Sequence, residues 1–254
     1  RKWRKVSFFG KEVPKMRYYH SFTRCQPSES GEMIALFGGT TDRAGVEGGN
    51  DLWLLGVSGK PGEILWKQMK VEKSTENLYH HIAFWHDSKL KVYGGISQSS
   101  WSTGLYVFDL LGGKKTEYFT LHEEDQYSTV HVSAEKGVVI GSELFVLGRR
   151  ENVVLLRRLD LLTQEWRVIA SEKQGSVKWR VLQNAQMVFF DKVLYFFNIS
   201  AKDVLPVFKL DLSKEEHKFL KIAQYHGFRA SGSHSLRKSQ LLSPRSMSNK
   251  VVIL

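Results

Sequence analysis

Few side chains in this chain could do chemistry. His80, His81 and His86 lie close together, and imidazoles at short spacing are metal-type ligands. Neighbours in an extended strand point to opposite faces, however, so His80 and His81 cannot both reach one ion. A metal site is not expected. Cys25, in the polar stretch TRCQPSESG, is the single cysteine. Neither an intrachain disulfide nor a thiolate cluster can therefore form. No HExxH, paired zinc ligands, phosphate-cradling glycine loop or GxSxG is present, and no cofactor or catalytic residue is expected. What remains are arginines and aromatics in polar connecting stretches. They are Arg43 in TTDRAGVEGG, Ser99 and Trp101 in SQSSWS, and Arg149 and Arg150 in GRREN, with Tyr127, Trp179, Arg180, Tyr225 and Arg229 in longer connections. Arginine and aromatic side chains anchor protein interfaces, and the planar guanidinium pairs with carboxylates through two parallel bonds. Together they point to recognition of an acidic or C-terminal peptide.

The elements that position these residues follow from the repeat. The runs IALFGG at 34, LKVYGG at 90, LFVLGR at 144, LYFFNI at 194 and VVIL at 251 resemble one another, at steps of 56, 54, 50 and 57 residues. A second run ends on Asp109, Asp160 and Asp211, each 51 residues after the last, with Gly56 in that place in the first copy. A third opens on an aromatic residue: Trp66, Tyr118, Trp166 or Phe219, with Trp3 matching at the start of the chain. A fourth precedes the glycine run and carries His20, His81, His131 or His234. Each unit of about fifty residues thus holds four short alternating runs separated by turn residues, with no sustained helical period. LSKEEHKFLKI at 212–222 has helix-forming composition, but its place in the repeat matches LLTQEWRVI, so it reads as turn plus strand.

Four short strands repeated every fifty residues mark a β-propeller blade. The residues resemble the kelch repeat: a strand ending in Gly-Gly, a variable loop, a strand carrying an aromatic and Asp-Leu, then a short turn into Trp. LDLLTQEWRVI fits the last part; LFGGTTDRAGVEGGNDLWLL and YGGISQSSWSTGLYVFDLL fit the first. The resemblance spans the whole chain and weakens toward its C-terminal half, where Gly148-Arg149 and Phe197-Asn198 replace the glycine pair. The expected fold is all-β: a single propeller over residues 1–254 with blades at 17–71, 79–122, 130–170 and 181–223. A split fifth blade is expected from 233–254 with 1–8. Because six or seven blades are more typical of the family, a fragment of a larger ring is also considered, and Arg1 in place of methionine is read the same way.

In such a ring, strand ends crowd near the axis, so the glycine pairs are expected at positive φ where a Cβ would clash. The aspartates are expected to accept amides of the following turn. Trp66 and Trp166 should pack between blades, and the recurrent histidines should be structural.

The resemblance implies a protein-binding module whose loops on one face carry specificity. It also raises a role as substrate receptor in a cullin-type ubiquitin ligase, through regions outside this chain. Two alternatives stay open. The net charge of +11 and RKWRK at 1–5 admit a nucleic-acid partner. A divergent enzyme is the other, since copper oxidases and sialidases are also propellers. Against it, Cys25 has no identifiable ligand partners, and SGKPGEILW carries Lys60 where an Asp-box needs aspartate. A lone cysteine favours a reducing compartment, and no apolar run is long enough for a bilayer. A cytoplasmic or nuclear protein without membrane contact is expected.

Overall fold

The computed structural model of the chain describes residues 8–9, 12–26, 33–41, 49–57, 64–71, 77–97, 100–102, 104–110, 117–120, 131–150, 152–182, 185–197 and 205–225. The first sheet holds β1 (Phe8–Phe9), β2 (Ser21–Cys25), β3 (Met33–Phe37), β4 (Leu52–Val57) and β5 (Ile64–Met69). The second holds β6 (Ile82–His86), β7 (Lys89–Tyr93), β10 (Gly104–Phe108) and β11 (Glu117–Thr120), with a small ribbon, β8 (Ile96–Ser97) and β9 (Ser100–Trp101), above it. The third is β12 (His131–Ile140), β13 (Glu143–Arg150), β14 (Val153–Asp160) and β15 (Trp166–Lys173). After a short helix, α1 (Val177–Leu182), come β16 (Gln186–Phe190), β17 (Val193–Phe197), β18 (Leu205–Asp211) and β19 (Leu220–Tyr225).

Apart from β1, the strands of each of the four large sheets pair in chain order as antiparallel neighbours, leaving the first of the four at one edge. Those edge strands meet: β2 touches β6, β6 touches β12, and β12 touches β16. Four meanders joined through their first strands stand as blades around a common axis, which is a β-propeller. The glycine at 137 marks how close the inner strands come. A Cβ there would lie 2.5 Å from Ile82 Cδ1 on the neighbouring blade.

Strands of the second and third blades read as continuous apolar runs because those blades are packed on both faces, whereas burial alternates along β17 of the fourth. Leu90, Val92, Tyr106 and Phe108 of the second blade pack on Cys25, Ala35, Phe37, Leu52 and Leu54 of the first. Their alternates Tyr93, Leu105 and Val107 pack on Leu144, Val146 and Leu159 of the third. Phe145, Leu147 and Leu156 then face Leu194, Phe196, Phe208 and Leu210 of the fourth. Trp166 lies between blades as expected, its ring 5.3 Å from Tyr93 and beneath the guanidinium of Arg157, 4.2 Å away. Trp66 instead pairs with Phe22 of its own sheet, at 6.4 Å.

The expected aspartate turns form after Asp160 and Asp211; the turn after Asp109 runs outside the described residues. Asp160 Oδ1 accepts the amides of Leu162 and Thr163 at 2.8 and 3.1 Å, and Asp211 Oδ1 accepts that of Ser213 at 3.0 Å. The segment after Asp211 is a turn leading into β19, so the helix-like composition there is overridden by its place in the repeat. Two features differ from expectation. Residues 177–182 are helical, with Ser176 Oγ accepting the amide of Trp179 at 2.9 Å as an N-cap; six residues are too few for a period to show in sequence. Phe8 was expected to pair with the C-terminal segment. Phe8 and Phe9 instead run parallel to Ile64 and Leu65, as a fifth strand on the outer edge of the first blade. Residues 1–7 and 233–254, the rest of the expected split blade, lie outside the described residues. Among the described residues, no helix is long and apolar enough to cross a membrane.

Candidate interaction face

The meander order sends two sets of connections to one end of the propeller: those from second to third strand, and those from one blade to the next. The glycine pairs lie at this end. Gly38, Gly39, Gly94 and Gly95 have φ of 62, 91, 67 and 99°. A Cβ on Gly39 would sit 2.6 Å from the carbonyl of Tyr18, and one on Gly95 2.8 Å from that of Tyr79. Gly38 also makes room for the next blade, since its Cβ would meet the Leu78 carbonyl and His81 Cε1. The missing Cβ atoms let the segments 17–20 and 78–81 lie against the strand ends. Bridges Tyr18–Thr40 and Tyr79–Ile96 fasten them there.

Histidine completes this packing. His81 is fully buried, its Nε2 2.8 Å from Ser21 Oγ and its ring 5.3 Å from Phe37, both on the first blade. Burial, reinforced by the fields of His20 and His80 and opposed by the Leu78 carbonyl, pushes its pKa down to about 3. It is a neutral staple between blades. His80 turns elsewhere, stacking on Tyr19 with centroids 3.8 Å apart. The two histidines do part company, but because His80 has φ of 57° and not through strand alternation.

Beside the first glycine pair is an open cleft of about 680 Å³ lined by Lys15, Arg17, Asp51, Trp53 and Gln68 among others. Arg17 grips Asp51 through two bonds of 2.6 and 2.8 Å and donates to the Gly38 carbonyl at 2.9 Å. Trp53 Nε1 donates to the same carboxylate at 2.6 Å. Burial raises the Asp51 carboxyl, but the bonds and charge of Arg17 and the bond from Trp53 outweigh it, leaving its pKa below the usual range. Asp51 and Arg17 are thus spent on each other. Cys25 is equally committed to structure: it is buried, and desolvation pushes its thiol up to about 12. Among the described residues no three metal-type side chains cluster.

Of the residues singled out in the sequence, Arg43, Ser99, Tyr127 and Arg229 lie outside the described residues. Arg150 ends β13, Arg180 lies in α1, and Tyr225 ends β19. Arg149 is exposed at the loop end of β13, in the repeat position that Gly39 and Gly95 occupy in the first two blades. Trp101 is exposed on β9. Trp179 was expected in a connecting loop; it lies in α1, half-buried against the core between the third and fourth blades.

The structure adds Tyr18, Tyr19 and Tyr79, which the sequence reading does not single out, and gives His80, weighed there only as a metal ligand, a place beside them. Tyr18 and Tyr19 are exposed, and Tyr79 stands in the repeat position of Tyr18. The signal was present in the aligned segments RYYH and LYHH, where aromatic residues precede the recurring histidine.

Blades, glycine turns and loop face together define a kelch-type propeller. The chain belongs to the family described as the KLHDC2/KLHL20/DRC7 Kelch-repeats domain, which matches residues 1–198. Among solved structures, the one described as "Structure of YjhT" is similar at 13% identity with a TM-score of 0.55. The match covers 81% of this chain and 66% of that one, so the chain spans just under two thirds of its length. At that identity the likeness speaks for the fold alone. No curated protein matches the chain.

Proposed function

We propose that this propeller is a protein-interaction module that recognises a peptide of its partner through the loop face, as the substrate receptor of a ubiquitin ligase assembled through regions outside this chain. The observation that carries the reading is the division of labour in the fold. The strands are consumed by packing between blades, whereas the loop end exposes aromatic rings and Arg149. A catalytic role is not assigned, because Asp51 is held by Arg17 and Trp53 and the Cys25 thiol is buried and protonated. The ligase role is tested by immunoprecipitating the tagged full-length protein from cells and probing for a cullin. Co-purification lost on deleting flanking regions, with the propeller intact, is expected. Absence of any cullin under crosslinking removes the ligase role and leaves the binding module.

The charge of +11 favours a second reading, a nucleic-acid partner. Counterion release then requires affinity for RNA to fall steeply as salt rises. No binding to a uridine 20-mer at 50 mM salt dismisses it.

A further inference from the structure

We propose that Tyr18, Tyr19, Tyr79, His80 and Trp101 form one ledge that docks an acidic, extended peptide of the partner protein. This rests on the interaction-module reading and gives it a surface and a ligand chemistry.

The first argument is backbone geometry. Seven described residues other than glycine have positive φ. Asp87 and Ser88 form the two-residue turn between β6 and β7, and Asp191 and Lys192 that between β16 and β17. Tight hairpins require this conformation. Gln164 closes the turn between β14 and β15. Only Tyr19, at 55°, and His80, at 57°, lie outside a hairpin. They occupy the same repeat position in successive blades and stack on each other at the surface. The His80 amide donates to the Tyr19 carbonyl at 3.1 Å, joining the blades at this point. Left-handed backbone at a tyrosine is costly, less so at a histidine, and such conformations collect where a surface has a task.

The second argument is continuity. Tyr79 is bridged to Ile96, and Ile96 is paired with Trp101. Directly opposed residues in a ladder present their side chains to the same side, so these three line one surface. Through Tyr79 it runs into His80, whose ring lies 5.7 Å away, and on to Tyr19 and Tyr18. Tyr18, Trp101 and Tyr19 remain 46, 43 and 38% exposed. Rigid amphipathic rings of this kind supply contact area at small entropic cost.

Ring orientation and charge identify the occupant. Bases stack on open, parallel faces. Here Tyr18 is tilted 50° from Tyr19 and Tyr79 54° from His80, while the most nearly parallel pair closes on itself at 3.8 Å. No continuous stacking platform results, and tilted, part-exposed rings that carry hydroxyl groups suit a peptide backbone and its side chains. The chain carries +11, and Arg149 places a cation at the same end of the neighbouring blade. An acidic peptide complements both.

The test pans a random 12-residue phage-display library on the intact chain and measures resynthesised, fluorescein-labelled winners by anisotropy. Enrichment in Asp and Glu is expected, with Kd at least tenfold weaker in Tyr18→Ala and in Trp101→Ala. Trp101→Phe should restore most of the loss, and Leu162→Ala, on the opposite end, should change nothing. Circular dichroism confirms that each variant is folded. Winners that ignore both ledge substitutions overturn the ledge and leave the module reading standing. Neutral or basic winners overturn the acidic assignment. No winners at all, even on crosslinking, sink both. A uridine 20-mer bound through Tyr18 and Trp101 with no peptide winners transfers the ledge to RNA.

Discussion

Acidification should loosen the seam between the first two blades, through His81. The ring is fully buried against Phe37 and Ser21, and its pKa is depressed to about 3 from 6.5 in the unfolded chain. Because the folded pKa is the lower one, the unfolded state binds this proton first as pH falls. The staple's contribution is complete above pH 6.5 and is lost progressively below it, down to about pH 3. Each unit below 6.5 costs about 1.4 kcal/mol, so the drop from pH 7.5 to pH 5 amounts to about 2 kcal/mol from this residue. The window lies above the carboxylates: Asp51, Asp160 and Asp211 all titrate below their ordinary range, and their stabilisation is lost only at lower pH. His86 is also depressed, chiefly by desolvation, so His86→Gln is the necessary control. Urea unfolding followed by tryptophan fluorescence at pH 7.5, 6.5, 5.5 and 5.0 reads the slope. Wild type should lose about 2 kcal/mol more than His81→Phe across this range, and His86→Gln should retain most of the wild-type slope. A histidine NMR titration of the folded protein supplies the answer if His81→Phe does not fold. A His81 midpoint near 6.5, or parallel slopes for wild type and His81→Phe, would refute the reasoning.

Gly39→Ala puts a Cβ 2.6 Å from a backbone carbonyl at φ of 91°. It should cost more than about 2 kcal/mol, read as a lower urea midpoint, whereas Gly141→Ala, which meets nothing within 4 Å, should cost only the strain of its turn. Asp51→Asn leaves Arg17, whose side chain is only 7% exposed, without its countercharge. A loss of about 2 kcal/mol is expected in urea unfolding, below that of a fully buried pair because Asp51 is partly solvated. Arg157→Lys keeps the charge but gives up the planar stack on Trp166 and the 3.2 Å bond to the Tyr93 hydroxyl. It should lower Tm by several degrees and shift tryptophan emission, while an unchanged Tm would show that the guanidinium plane contributes nothing there.

The blades were legible in the sequence because their determinants are local and repeated. A glycine pair at positive φ marks the first two copies, an aspartate closes the third strand in the last three, and short apolar strands recur in all four. A fifty-residue comparison therefore exposes them even where Gly148-Arg149 has replaced the pair. The candidate interaction face was legible only in kind. Arginines and aromatics could be assigned to connections, but which of them meet depends on how a connection folds back. Trp179 shows this most directly, since one turn of helix capped by Ser176 carries its ring into a core. The pair at Tyr19 and His80 was hidden for a different reason. Tyrosine does not announce a left-handed backbone and histidine does so only weakly, and their stacking depends on two segments sixty-one residues apart being brought together by the blade seam. The same seam contains the glycines and the His81 staple, so the packing that closes the scaffold also sets the spacing of the rings on its surface. Substitutions at Gly38 or His81 that leave the protein folded should therefore change ligand affinity without touching a ligand, and the affinity loss should track the loss of inter-blade stability. A variant weakened in the seam with undiminished peptide binding would break that link.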